Sequence, residues 1–526
     1  MNKQIRRLAL VLGVLFALIF LNLNWVQVVR GDSYRNHAGN RRVLLAEYAD
    51  QRGQIVVDGS SVATSKATDD ELKFLRVYPQ GPEYSAVTGY YSYIYDRSGM
   101  EQAADSLLSG TDNRLFGTRL ADLLTGRNSK GGSVELTLSK DAQDAAYQAM
   151  SKAGARGAVV ALDPSTGAIL AAVSTPAFDP NKLASHDSQV QTAYWASLKA
   201  DTDPDTPLLN RAFNQTYPAG STFKLITSAA VLKTGIKPGD KVPALRYYWP
   251  DQQGSGSCTV NGVDSGGCIH NFSVNGVPEE CQPGSDTATL TFALAKSCNT
   301  AFAALAVQNV GAQGLAEQAR AFGLDDEQRQ IPLTVAASTY GSLDVISNDA
   351  VALAQTAFGQ RDVRVTPLQD AMLSAAIAND GTLMQPYLVR KELAPNLSPL
   401  SVTTPSVMSQ AVDSSVAAQL RTMMHAVVTE PEGTGLAANI TGIPGVEVGG
   451  KTGTADTGFT SADSAEPDNW FTGYAMQDGK PAIALAVVIE NSNELKLGGA
   501  LTSTTQAASQ VARAVMSAYL KAGGAN

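Results

Sequence analysis

The sequence predicts a mixed α/β protein in which one sheet is covered by helices on both faces, held behind a single membrane-spanning segment. Two apolar runs near residue 160, three near the carboxyl end, and a charge-free stretch at the amino terminus support this reading. Met1 to Arg7 contains Lys3, Arg6 and Arg7, and from Leu8 to Val29 no residue is charged. Twenty-two positions at about 1.5 Å each span roughly 30 Å of hydrocarbon, enough for one crossing. The basic flank places residues 1–7 in the cytoplasm, 8–29 in the membrane and everything beyond Arg30 outside. A cleaved signal peptide would have a shorter apolar core ending at a small-x-small site, and neither feature is clear.

After the anchor, residues 30–155 are mixed and more polar, with strand-like runs such as Gln54 to Val57 and turns at Asp58-Gly59 and Ser98-Gly99. They read as a separate, extended domain near the membrane. Val134 to Leu138 alternates as a strand, and Ser139 caps a helix from Lys140 to about Lys152 whose Ala142, Ala145, Ala146 and Met150 share one face. A second domain, 156–522, opens with Ala158 to Leu162 and Ala168 to Val173, joined through the turn sequence Asp163-Pro164-Ser165-Thr166-Gly167. Val446 to Ala455, Asn469 to Ala475 and Pro481 to Ile489 supply three late strands, and a helix from about Thr502 to Lys521 follows. Pro and Gly clusters between Tyr247 and Gly284 mark a long loop region.

Composition narrows the function. Hydrophobic residues reach 44% and charged residues only 17%, which favours packed globular structure. The net charge of -9 is spread without basic blocks, so there is no footprint for nucleic acid. Four histidines stand far apart and form no pair with metal-ligand spacing. Cys258, Cys268, Cys281 and Cys298 lie within 41 positions of a domain exposed to an oxidising compartment, where thiols pair. Four cysteines permit three connectivities and sequence does not choose among them; pairing Cys258 with Cys268 and Cys281 with Cys298, closing two short loops, is the preference adopted.

Three constellations offer chemistry. In Pro218-Ala219-Gly220-Ser221-Thr222-Phe223-Lys224, Pro and Gly place Ser221 in the first turn of a helix, with Lys224 one turn on along the same face. A serine hydroxyl needs a base, and a lysine amine serves if burial, a second cation and the helix dipole lower its pKa from about 10.4 towards 7 or 8. Ser297-Cys298-Asn299 presents a hydroxyl and an amide two residues apart, suited to relaying a proton, binding a substrate carbonyl or holding Lys224. Gly449-Gly450-Lys451-Thr452-Gly453-Thr454 is a strand whose glycines allow close approach of an acyl group, with a cation and two hydroxyls for a carboxylate. Each motif alone has a bland reading as a cap, a turn or a strand end.

Together, in the order Ser221, Ser297, Lys451 with gaps of 76 and 154 residues beyond a membrane anchor, they resemble the penicillin-binding proteins. Gly359-Gln360, Val365-Thr366-Pro367-Leu368-Gln369, Ala376-Ile377-Ala378-Asn379-Asp380-Gly381 and Trp470-Phe471-Thr472-Gly473-Tyr474 resemble further segments of that family. Arg52-Gly53-Gln54-Ile55 and Thr88-Gly89-Tyr90 resemble the amino-terminal pedestal of the monofunctional class B members, in particular the shorter actinobacterial ones.

The resemblance implies the penicillin-binding transpeptidase fold: a mostly antiparallel five-stranded sheet flanked by helices, with an extended pedestal and one transmembrane helix. It implies a peptidoglycan D,D-transpeptidase that works through an acyl-serine intermediate and is acylated by β-lactam antibiotics. Ser221 is then the nucleophile, Lys224 its base, Ser297 and Asn299 proton-transfer and positioning groups, and Lys451, Thr452, Gly453 and Thr454 the substrate-carboxylate site. No metal or organic cofactor is implied. Peptidoglycan stem peptides are the substrate, and a membrane-embedded glycosyltransferase of the shape, elongation, division and sporulation (SEDS) family is the implied partner. A catalytically weak scaffold of a cell-wall assembly complex and a membrane-anchored β-lactamase are the alternatives. Cys298 in the middle of the second motif departs from the family at large.

Overall fold

The structure, a computed structural model, describes residues 2–29, 45, 47–125, 130–199, 202–203, 206–251, 258–260, 263–264, 267–274, 277–326, 331–455, 467–490, 494–497 and 500–524. Helix α1 (Asn2–Asn24) continues through a wider turn, Trp25–Val29. Within it Lys3–Gln27 is long and apolar enough to cross a membrane, and among the described residues none buries this stretch. That fits a single-pass anchor.

The pedestal begins with strands β1 (Ile55–Val57), β2 (Ser60–Ala67) and β3 (Phe74–Val77), followed by helix α2 (Phe116–Thr125) and strand β4 (Ser133–Leu136). Helix α3 (Lys140–Ala153) opens with Ser139 accepting from the Ala142 amide and closes on left-handed Gly154. Strands β5 (Gly157–Leu162) and β6 (Ile169–Thr175) form a hairpin. Helices α4 (Lys224–Lys233), α5 (Leu290–Ala295), α6 (Asn299–Leu305) and α7 (Pro367–Ala378) come next. Strands β7 (Val389–Leu393) and β8 (Pro399–Val402), helix α8 (Ser414–Thr429), strands β9 (Val446–Ala455), β10 (Asp468–Gln477) and β11 (Lys480–Ile489), and helix α9 (Thr504–Lys521) complete the order.

The second domain is built on one sheet in the order β9-β10-β11-β5-β6, every neighbour antiparallel. Its strands are buried along most of their length because helices cover both faces, so successive residues enter opposite cores. Ala158, Val160, Leu162, Trp470 and Ala486 face a core shared with α4 and α7. Val159, Ala161, Phe471 and Val487 face one shared with α3 and α9. Between Tyr247 and Pro278, where the sequence reads as long loop, the chain forms two-residue ribbons such as Tyr247–Tyr248 with Ile269–His270. Such short pairings leave no periodicity to read.

The pedestal sheet runs β8-β7-β4-β1-β2-β3, so two of its six strands come from residues 389–402, about 250 positions beyond β4 and further still beyond the rest. Beside it, on the short helix Gly99–Ala103, Glu101 is fully buried and bonded by Arg52 Nε at 2.7 Å and Arg76 Nε at 2.6 Å, while the Tyr78 hydroxyl donates to the same carboxylate. Burial alone would raise this carboxyl's pKa, but Arg76 and Arg52 hold it below its ordinary value. Removing the anion leaves two guanidiniums in a dry core. Glu101→Ala should therefore destabilise the protein by about 3 to 5 kcal/mol in chemical denaturation. A loss below about 1 kcal/mol would mean that water replaces the carboxylate.

Candidate active site

A single close approach assembles the site. Tyr217–Pro218 leads into the 3-10 turn Gly220–Phe223, which runs directly into α4. Gly220 has φ +53°, and a Cβ there would lie 2.8 Å from the Thr454 carbonyl oxygen, so only glycine lets this turn lie against β9. Gly453 serves the other side: a Cβ would sit 3.0 Å from Trp470 Cβ and 3.1 Å from Thr222 Cγ2. Trp470 Nε1 donates to the Pro218 carbonyl at 3.0 Å and pins the same junction. Ser221 is thereby presented half-buried at the edge of the sheet, and Lys224 becomes the first residue of the α-helix.

Lys224 is fully buried, and its Nζ meets four oxygens: Ser221 Oγ at 3.0 Å, the Ser297 carbonyl at 2.7 Å, Ser297 Oγ at 3.1 Å and Asn299 Oδ1 at 2.7 Å. Asn299 is oriented by its amide nitrogen, which donates to the His270 carbonyl at 3.1 Å. The Ser297 carbonyl and Asn299 Oδ1 are pure acceptors and need two N–H groups. A neutral amine has two, which leaves its lone pair for a hydroxyl. Burial, and after it the neighbouring Lys451, holds Lys224 well below the usual lysine range, in keeping with that state.

The second motif reaches Lys224 through an unusual backbone. Ser297 has φ +65°, a left-handed conformation that turns both its carbonyl and its hydroxyl toward the amine. For a non-glycine residue this costs on the order of 1 kcal/mol or more. Cys298 is bonded to Cys281, while Cys258 is bonded to Cys268. The Cys281–Cys298 bridge closes 17 positions, worth about 3 kcal/mol against the unfolded chain, and ties the motif to the ribbon region.

The third motif lies on β9, paired in register with β10 from Val446↔Gln477 to Ala455↔Asp468. Lys451 is fully buried, donates to Ser297 Oγ at 2.9 Å and to the Thr452 carbonyl at 2.9 Å, and burial brings it down to about 7. Ser297 Oγ thus links the two amines. Thr454 stands exposed on the strand, its Oγ1 3.3 Å from Asn469 Oδ1. A cleft of about 770 Å³ is lined by Ser221, Ser297, Asn299, Thr452 and Thr454. The structure brings together Ser221, Lys224, Ser297, Asn299, Lys451, Thr452, Gly453 and Thr454; of the cysteines, Cys281 and Cys298 reach the cleft.

Two residues absent from the motif reading also belong here. Thr434, from the segment after α8, shares a 2.6 Å hydrogen bond with Thr452 Oγ1. Asp370, on α7, is fully buried behind the Gly220–Phe223 turn, bonded to the Thr222 side chain, which itself donates to the Ala219 carbonyl at 2.9 Å. Asp370 Oδ2 has no partner among the described residues, and burial pushes the carboxyl up to about 7. Acids open many helices, so nothing in the sequence sets this one apart. Among the described residues no cluster suits a metal ion.

A serine at the head of a helix, an amine held for it and a second amine one hydroxyl away define an acyl-serine transferase of the penicillin-interacting kind. The penicillin-binding protein transpeptidase domain matches residues 157–269 and 275–517, and the penicillin-binding protein A dimerisation domain matches 52–134. The chain belongs to the penicillin-binding protein family. It is 43% identical to the peptidoglycan D,D-transpeptidase PbpA of Mycolicibacterium smegmatis over 99% of this chain and 100% of that one, and 41% identical to its Mycobacterium tuberculosis counterpart over 99% of both. Penicillin-binding protein A from M. tuberculosis, solved as a ceftriaxone acyl-enzyme complex, superposes with a TM-score of 0.80 at 41% identity, covering 91% of this chain and 100% of the other. The penicillin G acyl-enzyme complex gives 0.77 at 40%, covering 90% and 100%.

The buried acid yields a test. Unfolded, Asp370 ionises near 3.9; folded, it keeps its proton to about 7, so stability falls as pH rises through that window, by up to about 1.4 kcal/mol per unit. Asp370→Asn should remove this slope, and its melting temperature should gain on the parent's between pH 4.5 and pH 8. Parallel profiles would mean that Asp370 is charged in the folded protein.

Proposed function

We propose that the chain is a peptidoglycan D,D-transpeptidase, anchored by α1 with its catalytic domain outside the cytoplasmic membrane, and that Ser221 is the residue acylated by stem peptide and by β-lactams. The observation that carries the residue assignment is the placing of the Ser221 hydroxyl 3.0 Å from a buried amine whose N–H groups are already committed to carbonyl oxygens.

Ser221 Oγ attacks the carbonyl of the penultimate D-Ala, and Lys224 Nζ takes its proton. Ser297 Oγ, bonded to both amines, relays a proton toward the leaving amine of the terminal D-Ala. Asn299 fixes the Lys224 amine and offers its amide edge to the substrate backbone. Lys451, Thr452 and Thr454 bind the terminal carboxylate, and Gly453 keeps the strand open for the acyl group. The backbone amides of Ser221 and Thr454 receive the oxyanion, a role usually worth about 2.7 to 4 kcal/mol per donor. An amine of a neighbouring stem peptide, deprotonated by the same lysine, then accepts the acyl group and frees the serine. Glycan polymerisation falls to a partner, a membrane-embedded SEDS-family glycosyltransferase. The pedestal at 30–155 sets the transpeptidase domain at 156–522 above the membrane.

Incubating the full chain with a fluorescent penicillin should give a long-lived adduct on Ser221 that Ser221→Ala abolishes. Labelling that survives the substitution would reject the nucleophile, and an adduct lost within a few turnovers would indicate a β-lactamase. The same reagent tests the amines. Above about pH 7 free Lys451 loses its proton and its hold on a carboxylate, so the second-order acylation constant should fall by up to about tenfold per pH unit there. At saturation the fall should be smaller, because a bound carboxylate restores the charge. A second-order constant that stays level from pH 6 to 9 would contradict a cationic Lys451 as the carboxylate site.

A further inference from the structure

Helix α2 has no use in the reaction, and its composition is at odds with its surroundings. Phe116, Leu120 and Leu124 recur every four residues and form one stripe, exposed by 62%, 45% and 78%. The preceding Leu115 is buried in the pedestal core, and Asp112 caps the turn by accepting from the Arg114 amide at 2.8 Å. The root of the helix is therefore fixed while its apolar side faces outward. Arg114 is paired with Asp112 and Glu392; among the described residues of this segment the further cations are Arg119 on α2 and Lys130 beyond it, and Asp122 is the acid on the helix, in a chain of net charge -9.

The location points to an occupant. Lys130, five positions past the end of α2, pairs with Gln51, and the Gly131 amide donates to the Gln51 carbonyl at 2.9 Å. Gln51 lies where the chain enters the pedestal from the anchor. Tyr48 is already docked there, stacked on Tyr91 at 4.8 Å, and Glu47 is paired with Arg97. The free end of α2 can therefore lie no more than about 18 Å from the entry strand. Glu47, ahead of that entry, follows Val29, the last residue of the wider turn after α1, with only residues 30–46 between them. An amphipathic helix with a Phe/Leu face and flanking cations, held this close to a bilayer, has the chemistry of an interfacial helix.

We propose that α2 lies on the outer surface of the membrane, with Phe116, Leu120 and Leu124 among the acyl chains and Arg119 and Lys130 against anionic headgroups. The inference rests on the reading of α1 as a membrane anchor. Such a helix binds weakly alone, but α1 keeps it at high local concentration, so one short stripe suffices. Two attachments, α1 and α2, restrict the tilt of the pedestal and with it the height of the cleft.

All four native cysteines are in disulfides, so Leu124→Cys offers one free thiol for an environment-sensitive fluorophore. The labelled full chain is placed in vesicles of phosphatidylglycerol and phosphatidylcholine, and Asp69→Cys, on an exposed loop, is the comparison. At Leu124 the emission should shift to the blue, aqueous iodide should lose most of its quenching, and nitroxide-bearing lipid should quench strongly; at Asp69 none of these should occur. A Leu124 label as open to iodide as the Asp69 label would overturn the proposal. Shielding from iodide without quenching by nitroxide lipid would overturn it too, because a second copy of the chain would then cover the stripe. Equal shielding in phosphatidylcholine alone would reject the roles of Arg119 and Lys130. A chain that does not float with the vesicles would fail the anchor reading instead. Undiminished penicillin labelling of both variants would show that the fold is intact.

Discussion

Keeping one lysine uncharged in a dry pocket is the constraint on which the rest of the site depends. A buried ammonium beside Lys451 would face both the loss of hydration and a like charge, and both favour the neutral amine at Lys224. The surroundings are built for that state. Two carbonyl-type oxygens take its N–H groups, and the two nearby hydroxyls can each act as donor or acceptor, so no partner demands a third proton. Replacing either acceptor by a carboxylate would draw the proton back. The amide of Asn299 and the backbone carbonyl of Ser297 hold the amine without charging it.

The backbone features around the pocket follow from the same need. Ser297 can turn its carbonyl and hydroxyl to one nitrogen only in the left-handed conformation, and the Cys281–Cys298 bridge offsets the cost by restraining the turn from the far side. Ser221 can reach that nitrogen only if the 3-10 turn lies flat on β9, which is why Gly220 and Gly453 face one another's strands without side chains. Asp370 fits here as well. A neutral carboxyl completes the hydrogen bonding behind Thr222 without putting a negative charge near Lys224, where an anion would raise the amine's pKa.

Much of this was legible in the sequence, and the parts that were not share a cause. Ser221 and Lys224 are one turn apart, Ser297 and Asn299 two residues apart, and Lys451 to Thr454 lie on one strand, so residue type and spacing reveal them locally. The strands of the main sheet stand out because burial on both faces makes them continuous apolar runs. Thr434 touches Thr452 through a contact made only by the tertiary fold, and nothing around it differs from an ordinary polar turn. Strand β7 pairs with β4 across about 250 positions and β8 pairs with β7, and half-exposed sequences such as Val389–Leu393 give no sign of their partner. A positive φ at a serine has no compositional signature, unlike one at glycine.

The long-range pairing that the sequence hides is also what joins the two halves mechanically. Helix α7 carries Asp370 against the back of the Gly220–Phe223 turn, and a short stretch later the same chain becomes β7, a strand of the pedestal sheet. Displacing β7 breaks hydrogen bonds to β4, the strand whose neighbour β1 lies next to the buried Arg52–Glu101–Arg76 cluster. A sheet built from strands of two distant segments of the chain resists hinge motion far better than a single linker, because several ladder bonds must open together. The pedestal sheet is thus continuous with the domain that carries Ser221, and a displacement of one is carried to the other.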